Sequence, residues 1–267
     1  MPNRLEKDLI AQPELWSLVM QLSDTSLTAA LLPPVDSEQM ILSHIPLLTE
    51  TAGSYAKAVE EAVYDNPLLL SDFSRITLLT ASDRVALLPA ELDPEEAADA
   101  FRATLGEDAE ATLTETTSRG PVVASEEDQQ LLAFFRRTFF NITIRPTVAA
   151  MIETWQADGL WASCEEGVVR VVYNLDGRLM ISNSFRAAAP EDAAYYVAAL
   201  RRVYGADRGT VFLRRAGASR GACAVMADML RGASCPVEMV NASPAICRLG
   251  HAAADLPDYF LPSRPSA

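Results

Sequence analysis

Apolar residues recur along this chain with two different spacings, and the switches between them mark out its elements. From residue 159 the stretches GLWASCEE, VVRVVYN and RLMISNSF are short and rich in β-branched residues, so they read as three successive strands. Asp176-Gly177 joins the last two, a two-residue hairpin signal because both turn positions favour positive φ. The spacing then becomes helical: Ala193, Tyr196, Val197, Leu200 and Tyr204 fall on one stripe. Pro190 opens that helix, Glu191 and Asp192 sit against the positive end of its dipole, Arg201 and Arg202 suit its last turn, and Gly205 ends it. TVFLRR (209–214) follows as a strand. Ser219 then caps a helix carrying Ala222, Met226 and Met229, and VEMVN is the final strand.

The first half repeats that order. LWSLVMQLS, SLTAALLPP and MILSHIPLL read as strands, Tyr55, Val59 and Val63 as a helix stripe, and RITLLTAS as the next strand. An insertion follows: VALLPAEL as a short strand, then Asp93-Pro94-Glu95-Glu96, a capping box with Pro at the first helical position, leading through Phe101 and Leu105 to Gly106. Residues 106 to about 125 are polar and acidic, in the manner of an edge hairpin or a mobile loop. Leu131, Phe134, Phe135 and Phe139 make a helical stripe with Phe140 beside it, expected as core between the halves, and NITIRP and a helix to Trp155 join them.

Three strands, a helix, a strand, a helix and a strand is the order of a ribonuclease-H-like layered domain. The expected fold class is therefore α/β, with two ribonuclease-H-like βββαβαβ lobes. The first spans 14–155 with an insertion at about 83–124, the second spans 156–262, and residues 263–267 form a disordered tail.

Composition narrows the chemistry. A formal charge of −14 argues against nucleic acid, whose recognition needs clustered Lys and Arg; the acids are read as spread among helix starts and loops, for solubility, with an acidic docking face as the alternative. No apolar run approaches the ~20 residues needed to cross a bilayer and the first residues lack an apolar signal core, so no membrane partner is expected and the location should be cytoplasmic. Cys164, Cys223, Cys235 and Cys247 show no CxxC spacing and read as reduced, mostly buried thiols, not as metal ligands. With 12 glycines in 267 residues, below the usual ~7%, phosphate-cradling loops are in short supply.

VALLPAEL with its acidic capped helix, NSFRAAAPEDAAYYVAALRRVYG and the late aromatic LPDYF resemble an uncharacterised bacterial domain-of-unknown-function family, DUF3822, from roughly residue 14 to 262. That resemblance implies a duplicated ribonuclease-H-like fold of the actin-like ATPase type, similar in outline to pilus-assembly proteins. It implies no activity.

An actin-like ATPase holds phosphates with two strand-turn-strand loops of the form Asp-x-Gly-Thr/Ser, in which the carboxylate positions magnesium and water and the glycine lets backbone N–H groups reach phosphate oxygens. In VMQLSDTS, Gln21 stands at the carboxylate position, Ser23 replaces the glycine and Asp24 brings a negative charge. In ASCEEG, Glu165 and Glu166 would repel a triphosphate. After TVFLRR, where a Gly-Gly pair would serve an adenosine, Arg214-Arg215-Ala216-Gly217 offers one late glycine. The fold class is accordingly a degenerate form of the actin-like type.

Gly217-Ala218-Ser219-Arg220-Gly221 has the Gly-x-Ser-x-Gly form of a nucleophile elbow between a strand and a helix, with Asp228 or Glu238 and then His251 downstream. No oxyanion segment precedes it, and the upstream strands are meanders; Ser219 is better read as a helix cap. A two-metal nuclease is not expected either, since the strand interiors carry Ser, Ala, Val and Gln. His44 within MILSHIPLL reads as a core or edge residue, and His251 is uninformative.

The expected function is that of a non-catalytic intracellular interaction or scaffold protein with a protein partner and no cofactor. The alternatives are a nucleotide-binding switch using a cleft between the lobes, with Gly217, Ser219, Arg220 and Gly221 as its loop, and a serine hydrolase using Ser219.

Overall fold

The computed structural model of the chain describes residues 4–34, 39–80, 82–165, 167–205, 209–214, 220–240, 247–248 and 258–260. In chain order the first meander is β1 (Ser17–Leu22), β2 (Ser26–Leu32) and β3 (Met40–Pro46), followed by α1 (Thr49–Ala52), α2 (Tyr55–Tyr64) and β4 (Arg75–Thr80). The insertion supplies β5 (Val85–Leu88), α3 (Pro94–Leu105), β6 (Leu113–Thr116) and β7 (Val122–Ser125). Next come α4 (Gln129–Thr138), β8 (Ile142–Pro146) and α5 (Thr147–Thr154). The second meander is β9 (Gly159–Glu165), β10 (Val168–Leu175) and β11 (Arg178–Arg186), then α6 (Pro190–Val203), β12 (Val211–Arg214), α7 (Arg220–Gly232), β13 (Val237–Val240) and β14 (Cys247–Arg248).

The two large sheets share one strand order. The first runs β14-β3-β2-β1-β4-β8 and the second β11-β10-β9-β12-β13. In each, an antiparallel meander is extended by two parallel strands on the side of its first strand, with β1 beside β4 and β9 beside β12. Among the described residues of these two sheets, only β14, at the edge of the first, lies outside this shared pattern.

By its internal contacts the chain divides into two compact units: Met1–Ala81 with Glu127–Thr147 and Pro244–Ala253, and Ser82–Glu126 with Val148–Ser243 and Ala254–Ala267. The insertion thus counts with the second unit. In the first unit, Leu18, Met20 and Leu22 of β1 pack with Val59 and Val63 of α2 and with Phe134, Phe135 and Phe139. The aromatic stripe of α4 therefore belongs to this unit's own core. Burial of each such side chain contributes about 1.5–3 kcal/mol. Phe140 does not join them: it is 87% exposed, ahead of Asn141 at φ 59°.

In the second unit, alternate residues of β9, β10 and β12 (Leu160, Ala162, Val169, Val171, Val211, Leu213) meet Val197 of α6 and Met226 and Leu230 of α7. The opposite face carries a stack in which Trp161 lies 4.5 Å from Phe212 and 5.7 Å from Trp155. Gly159 makes room for it, since a Cβ there would fall 2.6 Å from the Phe212 ring. Asp176 and Gly177 adopt φ 50° and 70°, the turn the sequence calls for.

The insertion is a three-stranded sheet, β5-β7-β6, with α3 across one face. Asp93 caps α3 as expected, accepting from Glu95 N and Glu96 N at 2.9 Å while Glu96 Oε2 accepts from Asp93 N at 3.1 Å. The polar stretch after Gly106 is an edge hairpin. Its tip is latched within the same unit: Arg119 donates to Asn174 Oδ1 at 2.9 Å and to Gly177 O, and Ser118 N donates to Glu153 Oε1 at 2.6 Å. Near its base, Arg186 pairs with Asp83 at 2.6 Å.

Candidate functional site

The turn between β1 and β2 occupies the position of a first phosphate loop, and its backbone is closed upon itself. Ser23 N donates to Ser26 O at 2.9 Å, and Ser26 N donates back to Ser23 Oγ at 2.9 Å. Thr25 N reaches the same oxygen at 3.4 Å, and the two serine hydroxyls lie 2.8 Å apart. Tyr55 Oη donates to Ser23 O at 2.9 Å, tying the turn to α2, and Leu47 N donates to Thr25 O at 2.8 Å. The Ser23 hydroxyl therefore serves as acceptor for two amides of its own turn. Gln21 is buried on the sheet face away from the core, in register with Thr28, and Thr28 is in register with His44. Thr28 Oγ1 and His44 Nδ1 lie 3.0 Å apart, which accounts for this exposed histidine as a cross-strand partner, not a core residue.

The corresponding turn of the second unit follows Glu165; Glu166 lies outside the described residues. Glu165 Oε1 accepts from Tyr259 Oη at 2.6 Å and from Ser163 Oγ at 3.0 Å, and the Tyr259 ring sits edge-on to Trp155 with centroids 6.2 Å apart. Beside it Cys164 is buried, and desolvation, with Cys223 and Glu165 adding to it against an opposing Arg170, pushes its thiol up to about 11. Cys164, Cys223 and Cys235 are buried thiols outside any disulfide.

At the end of β12 the chain holds a cation in its interior. Arg214 is fully buried, its Nη1 donates to Val240 O at 3.2 Å, and Cys223 Sγ donates to its carbonyl at 3.4 Å. Across the strands Arg214 is in register with Ser163, Ser163 with Arg170 and Arg170 with Ser184, all four buried. This row of two arginines alternating with two serines had no counterpart in the sequence pattern. Of the loop residues singled out there, Arg215, Ala216, Gly217, Ala218 and Ser219 lie outside the described residues, as does His251. Arg220 opens α7, and Gly221 sits in its first turn with open space around it. Asp228 is exposed on α7, 3.3 Å from Arg231, and Glu238 is exposed on β13. Among the described residues no three His, Cys, Asp or Glu side chains are grouped to hold a metal, and no helix is long and apolar enough to cross a membrane.

A groove of about 550 Å³ lies in the insertion, between α3 and the outer strand β6. It is lined by Ala97 and Arg102 of α3, Ala109 and Ala111, Thr114 and Thr116 of β6 and Val122 of β7. Arg102 is held by Asp99 at 2.5 Å.

Two lobes with this repeated strand order define an actin-like ATPase fold. The structure of a protein from Bacteroides thetaiotaomicron VPI-5482 with actin-like ATPase fold and unknown function aligns with a TM-score of 0.71 at 16% identity, covering 88% of this chain and 93% of that one. The chain belongs to the family described as "Protein of unknown function (DUF3822)", whose model matches residues 6–218. More distant alignments include the PilM-PilN type IV pilus biogenesis complex (TM-score 0.49, 15% identity, 88% of this chain and 91% of that one). Another is the cytoplasmic domain of EpsL, an inner membrane component of the type II secretion system of Vibrio cholerae (TM-score 0.44, 14% identity, 74% and 80%). No curated protein sequence matches the chain.

Proposed function

We propose that this protein keeps the actin-like architecture without its catalysis and works as a cytoplasmic interaction or scaffold protein for a protein partner. The observation that carries the reading is the β1–β2 turn, where Ser23 N donates to Ser26 O and Ser26 N donates back to the Ser23 hydroxyl. A phosphate binding there would first have to break those bonds, and it would meet Asp24. Glu165 adds a second carboxylate at the matching turn, held in place by Tyr259 and Ser163. A net charge of −14 further disfavours polyanionic ligands, including nucleic acid.

Thermal unfolding with and without millimolar Mg-ATP, Mg-ADP and Mg-GTP tests this. A ligand at 100 times its Kd adds about 2.7 kcal/mol, roughly 5–10 °C for a domain of this size. An unchanged midpoint is expected with all three. A rise of several degrees with one of them overturns the reading in favour of a nucleotide-binding switch. Labelling of Ser219 by a fluorophosphonate would instead establish a serine hydrolase.

A further inference from the structure

We propose that the insertion is the docking module of this protein, and that its groove takes an extended, basic peptide segment of a partner, paired as a fourth strand along the open edge of β6. The inference rests on the interaction-protein reading and gives it a place and a partner chemistry.

Charge comes first. Residues 82–126 hold eleven Asp and Glu against three Arg, so 45 residues carry −8 of the chain's −14. More than half of the net negative charge is therefore concentrated here. The three arginines are all engaged: Arg84 with Glu126 at 2.6 Å, Arg102 with Asp99, and Arg119 with Asn174 and Gly177. A field of one sign in a small module draws in and orients a partner of the opposite sign.

Edge geometry comes second. Among the described residues β6 pairs only with β7, in the register Leu113↔Ser125, Thr114↔Ala124, Glu115↔Val123 and Thr116↔Val122. Thr117 N donates to Pro121 O at 3.0 Å, which marks that pair as hydrogen-bonded. By the antiparallel alternation, residues 113 and 115 also bond inward, and the N–H and C=O groups of Thr114 and Thr116 point away from the sheet. Such a row of outward groups is a template for another strand.

The groove comes third, and it lies where alternate side chains of an added strand would fall. Thr114 and Thr116 line it together with Ala97, Ala109 and Ala111, and its volume of about 550 Å³ suits small and medium apolar side chains. Side chains on the other face of the added strand, if Lys or Arg, would stand in the acidic field. A second copy of the chain is disfavoured as occupant because it would bring a like charge of −8 to the same edge.

The test uses the full chain and a fluorescein-labelled peptide, acetyl-(Lys-Val-Lys-Ala)₃-amide, with its Glu-for-Lys counterpart as control, followed by anisotropy at two salt concentrations and by backbone amide NMR. Expected are saturable binding of the basic peptide alone, about tenfold tighter at low salt than at physiological salt, and shifts centred on the amides of Thr114 and Thr116. Thr114→Pro removes one outward N–H at an edge position where proline is tolerated, and Ala111→Phe fills the groove. Each should weaken binding at least tenfold while leaving the thermal midpoint close to that of the parent. Absence of binding, or binding that ignores both variants, overturns the proposal, the latter by showing diffuse attraction of a polycation. So does a dimer of the free protein that Thr114→Pro dissolves, since the edge would then belong to a second copy. Peptide binding together with a nucleotide-induced rise in midpoint leaves the docking module standing and removes the non-catalytic reading; no peptide binding and no nucleotide response does the reverse.

Discussion

Tyr259 donates its phenolic proton to Glu165 Oε1 at 2.6 Å, joining residues 94 apart in sequence. The bond fixes the carboxylate at the start of the β9–β10 turn and the aromatic ring against Trp155. Hydrogen bonds to a charged acceptor contribute about 1.5–3 kcal/mol. Tyr259→Phe keeps the ring and loses the bond, so urea unfolding should show a loss of about 1.5–2 kcal/mol with the m-value unchanged. An unaltered midpoint would mean that Ser163 alone suffices to hold Glu165.

Ser23 closes the β1–β2 turn by accepting from Ser26 N. Ser23→Ala leaves that amide without its acceptor and should cost about 1–2 kcal/mol without creating any response to Mg-ATP. If the variant gained nucleotide-dependent stabilisation, the serine would be a removable block over a working phosphate loop, and the scaffold reading would fail.

Gly159 and Gly120 both have positive φ, +131° and +105°, yet their surroundings differ. A Cβ at 159 meets the Phe212 ring at 2.6 Å and Thr210 O at 3.0 Å, whereas nothing lies within 4 Å of one at 120. Gly120→Ala should therefore show backbone strain alone, on the order of 1 kcal/mol. Gly159→Ala adds overpacking, for a total of about 2–4 kcal/mol. Equal losses in calorimetry would deny the close approach of the ring.

The strands, the Asp176-Gly177 hairpin and the Asp93 capping box were legible because each is written in neighbouring residues. β-branched runs, a turn dipeptide and an S/T/D-x-x-E spacing need no tertiary information. The partnership of Thr28 with His44 was not legible, since it depends on the register of β2 against β3. Nor was the burial of Arg214, which sits at the end of an apolar run where a guanidinium ordinarily turns outward. β14 has only two residues and no pattern to read. The concentration of acid in 82–126 was visible in composition, but the groove beneath it appears only once α3 lies across β5 and leaves β6 uncovered. For the candidate loop at 215–219, sequence remains the sole description.

Cys164 offers a pH test within the second unit. Its thiol is raised from 9.0 to about 11, chiefly by burial. Between those values the unfolded chain gives up a proton that the native protein keeps. The unfolded state then binds fewer protons, and stability falls as pH rises. The contribution is whole below pH 9 and lost once pH passes 11, on the order of 2 kcal/mol in all. The stability difference between the parent protein and Cys164→Ala, measured from pH 8 to 11, should move against the parent across that interval; a flat difference would place the thiol in contact with water.

The latch at the hairpin tip bears on how the edge of β6 meets anything that pairs with it. Arg119 and Ser118 pin the far end of the hairpin, and Asp83 with Arg186 pins the insertion near its base. A strand anchored at both ends has little conformational freedom left to surrender on association, so nearly all the ordering entropy falls on the incoming segment. Selectivity would then reside in that segment's stiffness as much as in its side chains: pre-extended sequences dock readily, and helix-prone ones of identical charge are turned away.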